Sequence, residues 1–448
     1  MSAAYVARRL PTLAGPAAWS AILGPQPAPR PLAGELDADF AVIGAGFAGL
    51  AAARRLTQLA PGARVVVLEA GRIGEGGTGR NTGFMIDLPH ELTSTDYAGE
   101  NGSADRTLIA LNRTAIGFAR DAVLEYGIAA EHFDPAGKVN GAGSATGHER
   151  NLRYAAHLDA LSESHELLDA QAMFELTGSH YYRSGLYTPG TVMLQPAGYV
   201  RGIAAGLSPT VGIHENSPVT AFRREGARWH ITTPSGGVRT PRIVMANNGQ
   251  IESFGFKRGR LMHVFLFGCM TEELGPELLK RLGGRSRWGI TPSDPMGTTV
   301  RRIDAGQGGH RIVTRTVAEF CPDMASSDNA MRRATRVLRK KFDARFPALS
   351  AVTMDHVWSG HLCLSRNGVS VTGEIEDGVF AACCQNGLGT TRGTLTGICA
   401  AELACGTTSA ITAHFAAQPE PDRLPAAPIA KLGATALLRW KEWRARKE

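Results

Sequence analysis

Gly44, Gly46 and Gly49 stand together near the start of the chain, and Glu69 follows twenty residues after the last of them. The pattern G-x-G-x-x-G suits one task. Gly44 permits a tight turn, Gly46 lets a pyrophosphate approach the backbone, and Gly49 lets a helix lie close against a strand. Phe47 and Ala48 would open that helix, whose free N–H groups and positive dipole end suit phosphate. Glu69 falls where a carboxylate accepts hydrogen bonds from ribose hydroxyls, and its charge disfavours a 2′-phosphate. The bland alternative is a glycine-rich α/β turn with no ligand, and the register of Glu69 argues against it.

The elements around these residues read as one βαβ unit. Residues 39–43 form a buried strand, the glycine turn leads into a helix to about Leu59, Pro61-Gly62 stops it, and 64–68 form a second buried strand.

A second glycine-rich stretch begins directly after Glu69. It holds Ala70, Gly71 and Arg72, then Gly77, Thr78, Gly79, Arg80, Asn81, Thr82 and Gly83. A nicotinamide cofactor has no use for such a loop. A longer one does, because small residues let the backbone pass close to an isoalloxazine ring. Far along the chain, a strand expected at 378–384 runs into Asn386, Gly387, Leu388, Gly389, Thr390 and Thr391, and then a helix to about Leu403. That helix N-terminus would stabilise negative charge on a reduced flavin. Its alternative is a packing turn. Taken together, the three segments point to FAD rather than NAD.

Residues that could act on a substrate are fewer. An amine must be neutral before it gives up hydride, and burial can lower its pKa without a strong side-chain base. Arg80 could support reduced-flavin charge or orient substrate, or else contact pyrophosphate or solvent. Arg302 and Arg315 on expected strands, and Arg366 near the expected flavin edge, could each fork onto a carboxylate or form an ordinary ion pair. His263 could face the flavin or sit satisfied in the core. Cys383-Cys384 reads as small apolar core.

The chain has 448 residues, of which 43% are hydrophobic and 20% charged, enough for a sizeable core in two to three domains. The net charge of +7 is mild over this length and does not call for nucleic acid. The basic run from Arg332 to Lys341 alternates with apolar residues at helical spacing, as a solvated helix face does. No run approaches the roughly 20 apolar residues of a membrane span, so no integral membrane segment is expected. Seven cysteines without a CxxC pair or nearby His cluster fit neither a disulfide framework nor a zinc or other metal site. Reduced thiols and the lack of an apolar signal core suggest the cytoplasm. Residues 1–36, rich in Pro and Ala, are expected to wrap over a surface.

The three segments, in this order and spacing, resemble the glycine/D-amino acid oxidase family of FAD enzymes over most of the chain. The run 69–84 is similar to that family's flavin-facing loop, and 378–397 to its C-terminal flavin loop and helix. Residues 217–250 look like its β-meander, with Val219 near the adenine and Asn247 and Gly249 returning to the cofactor. Residues 194–199, Trp358-Ser359-Gly360 and the Pro-rich tail from Leu424 are similar to the γ-glutamylputrescine oxidase-like subgroup.

The resemblance implies an α/β protein: a glutathione-reductase-type FAD-binding Rossmann domain with an inserted β-meander, plus an α+β substrate domain with a mixed sheet. The FAD domain would comprise 36–100, 191–250 and 355–417, the substrate domain 101–190 and 251–354, and 418–448 would be a tail. The implied chemistry is oxidation of a C–N bond in a small amine or amino acid. Hydride goes to flavin N5, the imine hydrolyses, and oxygen or another acceptor reoxidises the flavin. Non-covalent FAD is favoured, although Cys363 falls close to where some relatives bond the flavin covalently. A flavin monooxygenase would need a second cradle for a nicotinamide, which the sequence lacks. A non-catalytic FAD-bearing subunit is the other alternative. The tail, with Trp440 and Trp443, reads as a surface helix or as a contact with a membrane or partner. Oligomeric state is not legible.

Overall fold

The computed structural model describes residues 4–89 and 102–448, so the boundary expected at 100/101 lies outside the described residues. The first layer is a six-stranded sheet in the order Val211–His214, Val65–Leu68, Phe40–Ile43, Arg242–Met245, Val379–Cys383, Val371–Glu376. The first five run parallel and the last is antiparallel to its neighbour. Phe40–Ile43 and Val65–Leu68 are buried throughout, as strands covered on both faces must be. On one face lie the helices Phe47–Leu59 and Thr391–Ala404, sharing a core with Val42, Val67, Leu395 and Ile398. These helices meet backbone to backbone, and a Cβ at Gly397 would strike the Ala48 carbonyl.

The other face is covered by a five-stranded sheet in the order Ala4–Val6, Ala221–Glu225, Arg228–Thr233, Gly236–Thr240, Gly34–Asp37. Its outer strands come from the segment expected only to wrap a surface. They pair with what would otherwise be open sheet edges. The same segment also buries Trp19 completely.

The second layer is an eight-stranded sheet in the order His356–Ser365, Leu261–Met270, Arg311–Phe320, Thr299–Ile303, Trp288–Pro292, Lys138–Ala142, Ser184–Thr188, Glu166–Leu168. Trp288–Pro292 and Lys138–Ala142 are parallel, so the sheet is mixed. Ala330, Ala334, Leu338 and Phe342 of the helix Asp328–Arg345 pack against one of its faces.

The structure departs from two of the expected domain assignments. Helix Gly102–Glu125, placed with the substrate domain, buries Leu111, Ala115, Ala119 and Ala122 in the Rossmann core. Strand His356–Ser365, placed with the FAD domain, pairs along its full length with Leu261–Met270 in the eight-stranded sheet. Strand pairing and an apolar stripe decide both cases, and neither follows from position in the sequence.

Candidate active site

Gly44 has φ +105, which only glycine adopts without strain. At Gly49 a Cβ would collide with the Gly44 carbonyl, so the turn closes on the helix by direct backbone approach. Gly46 differs. A Cβ there would meet only the Thr78 hydroxyl, at 3.2 Å, and otherwise open space. That opening faces the N-terminus of Phe47–Leu59, which carries no side-chain cap. Glu69 accepts from the Ala45 N–H at 2.8 Å and the Gly71 N–H at 3.1 Å. Burial raises its pKa, and the backbone amides of Ala45, Gly71 and Ala70 oppose that rise. Nearby, the buried Asn248 Oδ1 has no partner. An open cradle, a carboxylate held at the next strand end and an orphaned amide oxygen fit the phosphates and ribose of FAD.

The second loop is held mainly through its own backbone. Asn81 donates to the Thr78 carbonyl at 2.6 Å and accepts from the Gly83 N–H at 2.7 Å. Arg80 donates to the carbonyls of Glu75, Ala14, Gly15 and Ser359, so its guanidinium binds the loop to the N-terminal segment and to strand His356–Ser365. Arg72 pairs with Glu215 at 3.2 Å. In the third loop, Thr390 and Thr391 donate to the carbonyls of Phe84 and Ile86 at 2.7 and 3.0 Å. Asn386 accepts from the Ser365 N–H at 2.8 Å and donates to the carbonyls of Gly368 and Val369. Thr390 and Thr391 thus tie the third loop to the strand that follows the second, while Asn81, Arg80, Arg72 and Asn386 hold their own loops and neighbouring segments in place. A Cβ at Gly389 would meet nothing within 4 Å, so the backbone there remains open.

Opposite the loops lies one face of the eight-stranded sheet. Arg301, which sequence reading passed over, is completely buried there. It donates to the carbonyls of Thr82 and Leu194 at 2.9 and 2.5 Å and to Gln307 at 2.9 Å. Desolvation pulls its pKa down to about 9. Trp358 donates to the Arg80 carbonyl at 3.0 Å on the same face. Direct cross-strand partners share a face. Arg315 pairs with Thr299 and with Gly268, and Gly268 pairs with Trp358, so Arg315 lies on the loop side. Arg302 pairs with Trp288 and Ile312 on the opposite face and donates to the Gly283 carbonyl. Arg366 is exposed in the turn after His356–Ser365. Strand alternation separates Arg301 from Arg302, and only the register reveals which one faces the loops.

His263 is 1% exposed and has both ring nitrogens engaged, Nε2 with Glu252 at 2.7 Å and Nδ1 with His361 at 3.0 Å. Burial and His263 push the His361 pKa down to about 3. His263 is therefore a node in a buried polar chain beside Gly249, not an open base. Cys363 belongs to the apolar cluster with Cys383 and Cys384, and contact with the Cys384 thiol together with burial holds its pKa far above the usual thiol range. Val219 is buried in that same cluster. Among the described residues no group of His, Cys, Asp or Glu could hold a metal ion.

Known proteins share this architecture. Glycine oxidase from Geobacillus kaustophilus superposes with a TM-score of 0.69 at 17% identity, over 87% of this chain and 100% of its own. L-amino acid deaminase from Proteus myxofaciens gives 0.67 at 14% identity, over 91% and 98%. Among sequences, the probable oxidoreductase OrdL of Rhizobium meliloti is 26% identical over 398 residues, 83% of this chain and 84% of its own. Gamma-glutamylputrescine oxidoreductase of Escherichia coli is 24% identical over 395 residues, 82% and 84%. The family model DAO, described as FAD dependent oxidoreductase, matches residues 39–403. With its glycine turn, its two further glycine-rich loops and its mixed sheet inside that match, the chain belongs to the DAO family of FAD-dependent oxidoreductases.

Proposed function

We propose that this protein oxidises the C–N bond of a small amine or amino acid, using FAD held without a covalent bond. The observation that carries the reading is the face opposite the loops. Arg315 and Arg301 share it with half-buried Met262, Leu266, Leu362 and Leu364, an apolar wall onto which Ala434 and Leu438 of the helix Ala427–Arg444 also pack. When bound, FAD supplies a two-electron acceptor at flavin N5 and passes the electrons on to oxygen or another acceptor. The apolar wall would exclude water and lower the pKa of a bound amine, so that it is neutral when it reacts. Arg315 would place a positive charge beside a substrate carboxylate. Arg301 and Arg80 would hold the second loop against the sheet and so fix the distance between substrate and cofactor. The oxidised amine would leave as an imine and hydrolyse to a carbonyl compound. Gly46, Glu69 and Gly389 would supply the cofactor's phosphate, ribose and flavin contacts.

The relatives named as a gamma-glutamylputrescine oxidoreductase, a glycine oxidase and an L-amino acid deaminase support an amine or amino-acid substrate. The raised Cys363 pKa supports non-covalent attachment, since the thiolate is the form that attacks. Seven free thiols support a cytoplasmic setting. The test is a panel of amines and amino acids incubated aerobically with the holoprotein. A carbonyl product with hydrogen peroxide indicates an oxidase, and a carbonyl product only with an added dye indicates a dehydrogenase. Carbonyl product from no member under either condition would refute the reading.

A further inference from the structure

The helix Ala427–Arg444 has two faces of opposite character. Inward, Ala434 and Leu438 pack onto the cluster of Val264, Ala318 and Phe320. The two carboxylates of this segment also point inward. Glu442 accepts from the Ala318 N–H at 3.0 Å and pairs with Arg333, and the Glu448 side chain accepts from the Gly143 N–H at 3.0 Å and the Ser293 hydroxyl at 2.8 Å. Outward, Ile429, Leu432, Leu437, Trp440 and Trp443 are each between 50% and 75% exposed. Ile429, Leu432, Trp440 and Trp443 fall in one stripe at helical spacing. At about 1.5 Å per residue the stripe is about 21 Å long. Among the described residues, the other exposed large apolar side chains are Val6, Leu10, Leu124, Leu152 and Leu167, none of them in this helix.

The cations border this stripe. Arg444 lies over the Trp440 ring at 4.9 Å and Arg446 over the Trp443 ring at 4.6 Å. Lys431 and Lys447 are exposed. Lys341 donates to the Arg446 carbonyl, so helix Asp328–Arg345, which packs on the other face of the sheet, meets the C-terminal end of this segment. Within the segment Arg439 pairs with Glu442 at 3.0 Å and Arg444 approaches buried Asp294 at 3.7 Å, so at its C-terminal end the exposed positive charge beside the apolar stripe comes from Arg446 and Lys447. Indoles favour the boundary between headgroups and acyl chains, and the cations suit anionic headgroups.

We propose that the outward stripe of this helix lies on an anionic lipid surface and docks the protein there as a peripheral protein. No helix among the described residues is long and apolar enough to cross a membrane. The proposal does not depend on the substrate reading.

The test is co-sedimentation of the holoprotein with vesicles of phosphatidylcholine alone or with about one-quarter phosphatidylglycerol. Binding is expected to be at least about tenfold tighter to the anionic vesicles and to weaken in high salt. Tryptophan fluorescence should shift to the blue on binding. The variant Trp440→Ala/Trp443→Ala, exposed at both sites, should keep its flavin spectrum and bind at least about tenfold more weakly. A wild-type protein that ignores anionic vesicles, or binds both kinds equally, overturns the proposal. So does a double variant that binds as well as wild type. A wild-type dimer that the variant dissolves, without vesicle binding, would assign the stripe to a second copy and overturn the lipid surface.

Discussion

The cradle around Gly46 is built of backbone, whereas the face that carries Arg301 and Arg315 is built of side chains. In the first region the missing atoms matter: a Cβ at Gly49 collides with a carbonyl, and a Cβ at Gly46 meets only the Thr78 hydroxyl, at 3.2 Å. In the second region, sheet register decides which of two adjacent arginines meets the loops. A backbone site constrains residue type at fixed spacing and so leaves a motif. A side-chain site constrains only which face a residue occupies, and many sequences satisfy that.

The largest expected effect lies within the cradle. Gly49→Val should destabilise the apoprotein by on the order of 3 kcal/mol or more, because backbone must move. Gly46→Val should keep the apoprotein fold within about 1 kcal/mol and yet lose its flavin. Chemical denaturation and the ratio of flavin to protein absorbance measure both. If Gly46→Val purifies with full flavin, the opening is not the pyrophosphate site.

On the side-chain region, Arg315→Met should lower kcat/KM for a carboxylate-bearing substrate about a hundredfold, roughly 2.7 kcal/mol. Arg302→Met, on the opposite face, should change it by less than about threefold. Steady-state assays that found the reverse order would break the assignment of faces.

The buried chain of Glu252, His263 and His361 makes a pH prediction. His361 is held at about 3, below its ordinary 6.5, so the unfolded chain takes up a proton that the native state refuses. Stability from this group is complete above its unfolded pKa and falls as pH drops toward the folded value. Between about pH 7 and 5 the loss is roughly 2 kcal/mol. His361→Gln should remove that slope, as urea melts at the two pH values would show. An unchanged slope would mean that His361 is not held neutral.

The smallest effect returns to the cradle. Glu69→Gln should weaken FAD binding about tenfold, roughly 1.5 kcal/mol, because the amide keeps the shape and loses the charge. Flavin fluorescence titration of the apoprotein measures it.

What could be read from residue order follows the same division. The glycines at 44–49 with Glu69, the loop at 70–83 and the segment at 386–391 are local features, and the choice of FAD rests on the three together. The pairing of Ala4–Val6 and Gly34–Asp37 with the meander is long-range and left no local signal. Arg301 was hidden because it is one residue from Arg302 in an unbroken strand. Arg80 was conspicuous in a flavin-side loop, but its position could not show that its donors reach four carbonyls. His263 looked isolated because Glu252 lies eleven residues before it and His361 almost a hundred after it.

The most direct test of the account is anaerobic mixing of the holoprotein with an amine or amino-acid substrate while flavin absorbance near about 450 nm is followed. The account predicts that the amine bleaches the flavin and that one carbonyl product appears per flavin reduced. Bleaching by NADPH alone, or by neither reagent, would contradict it.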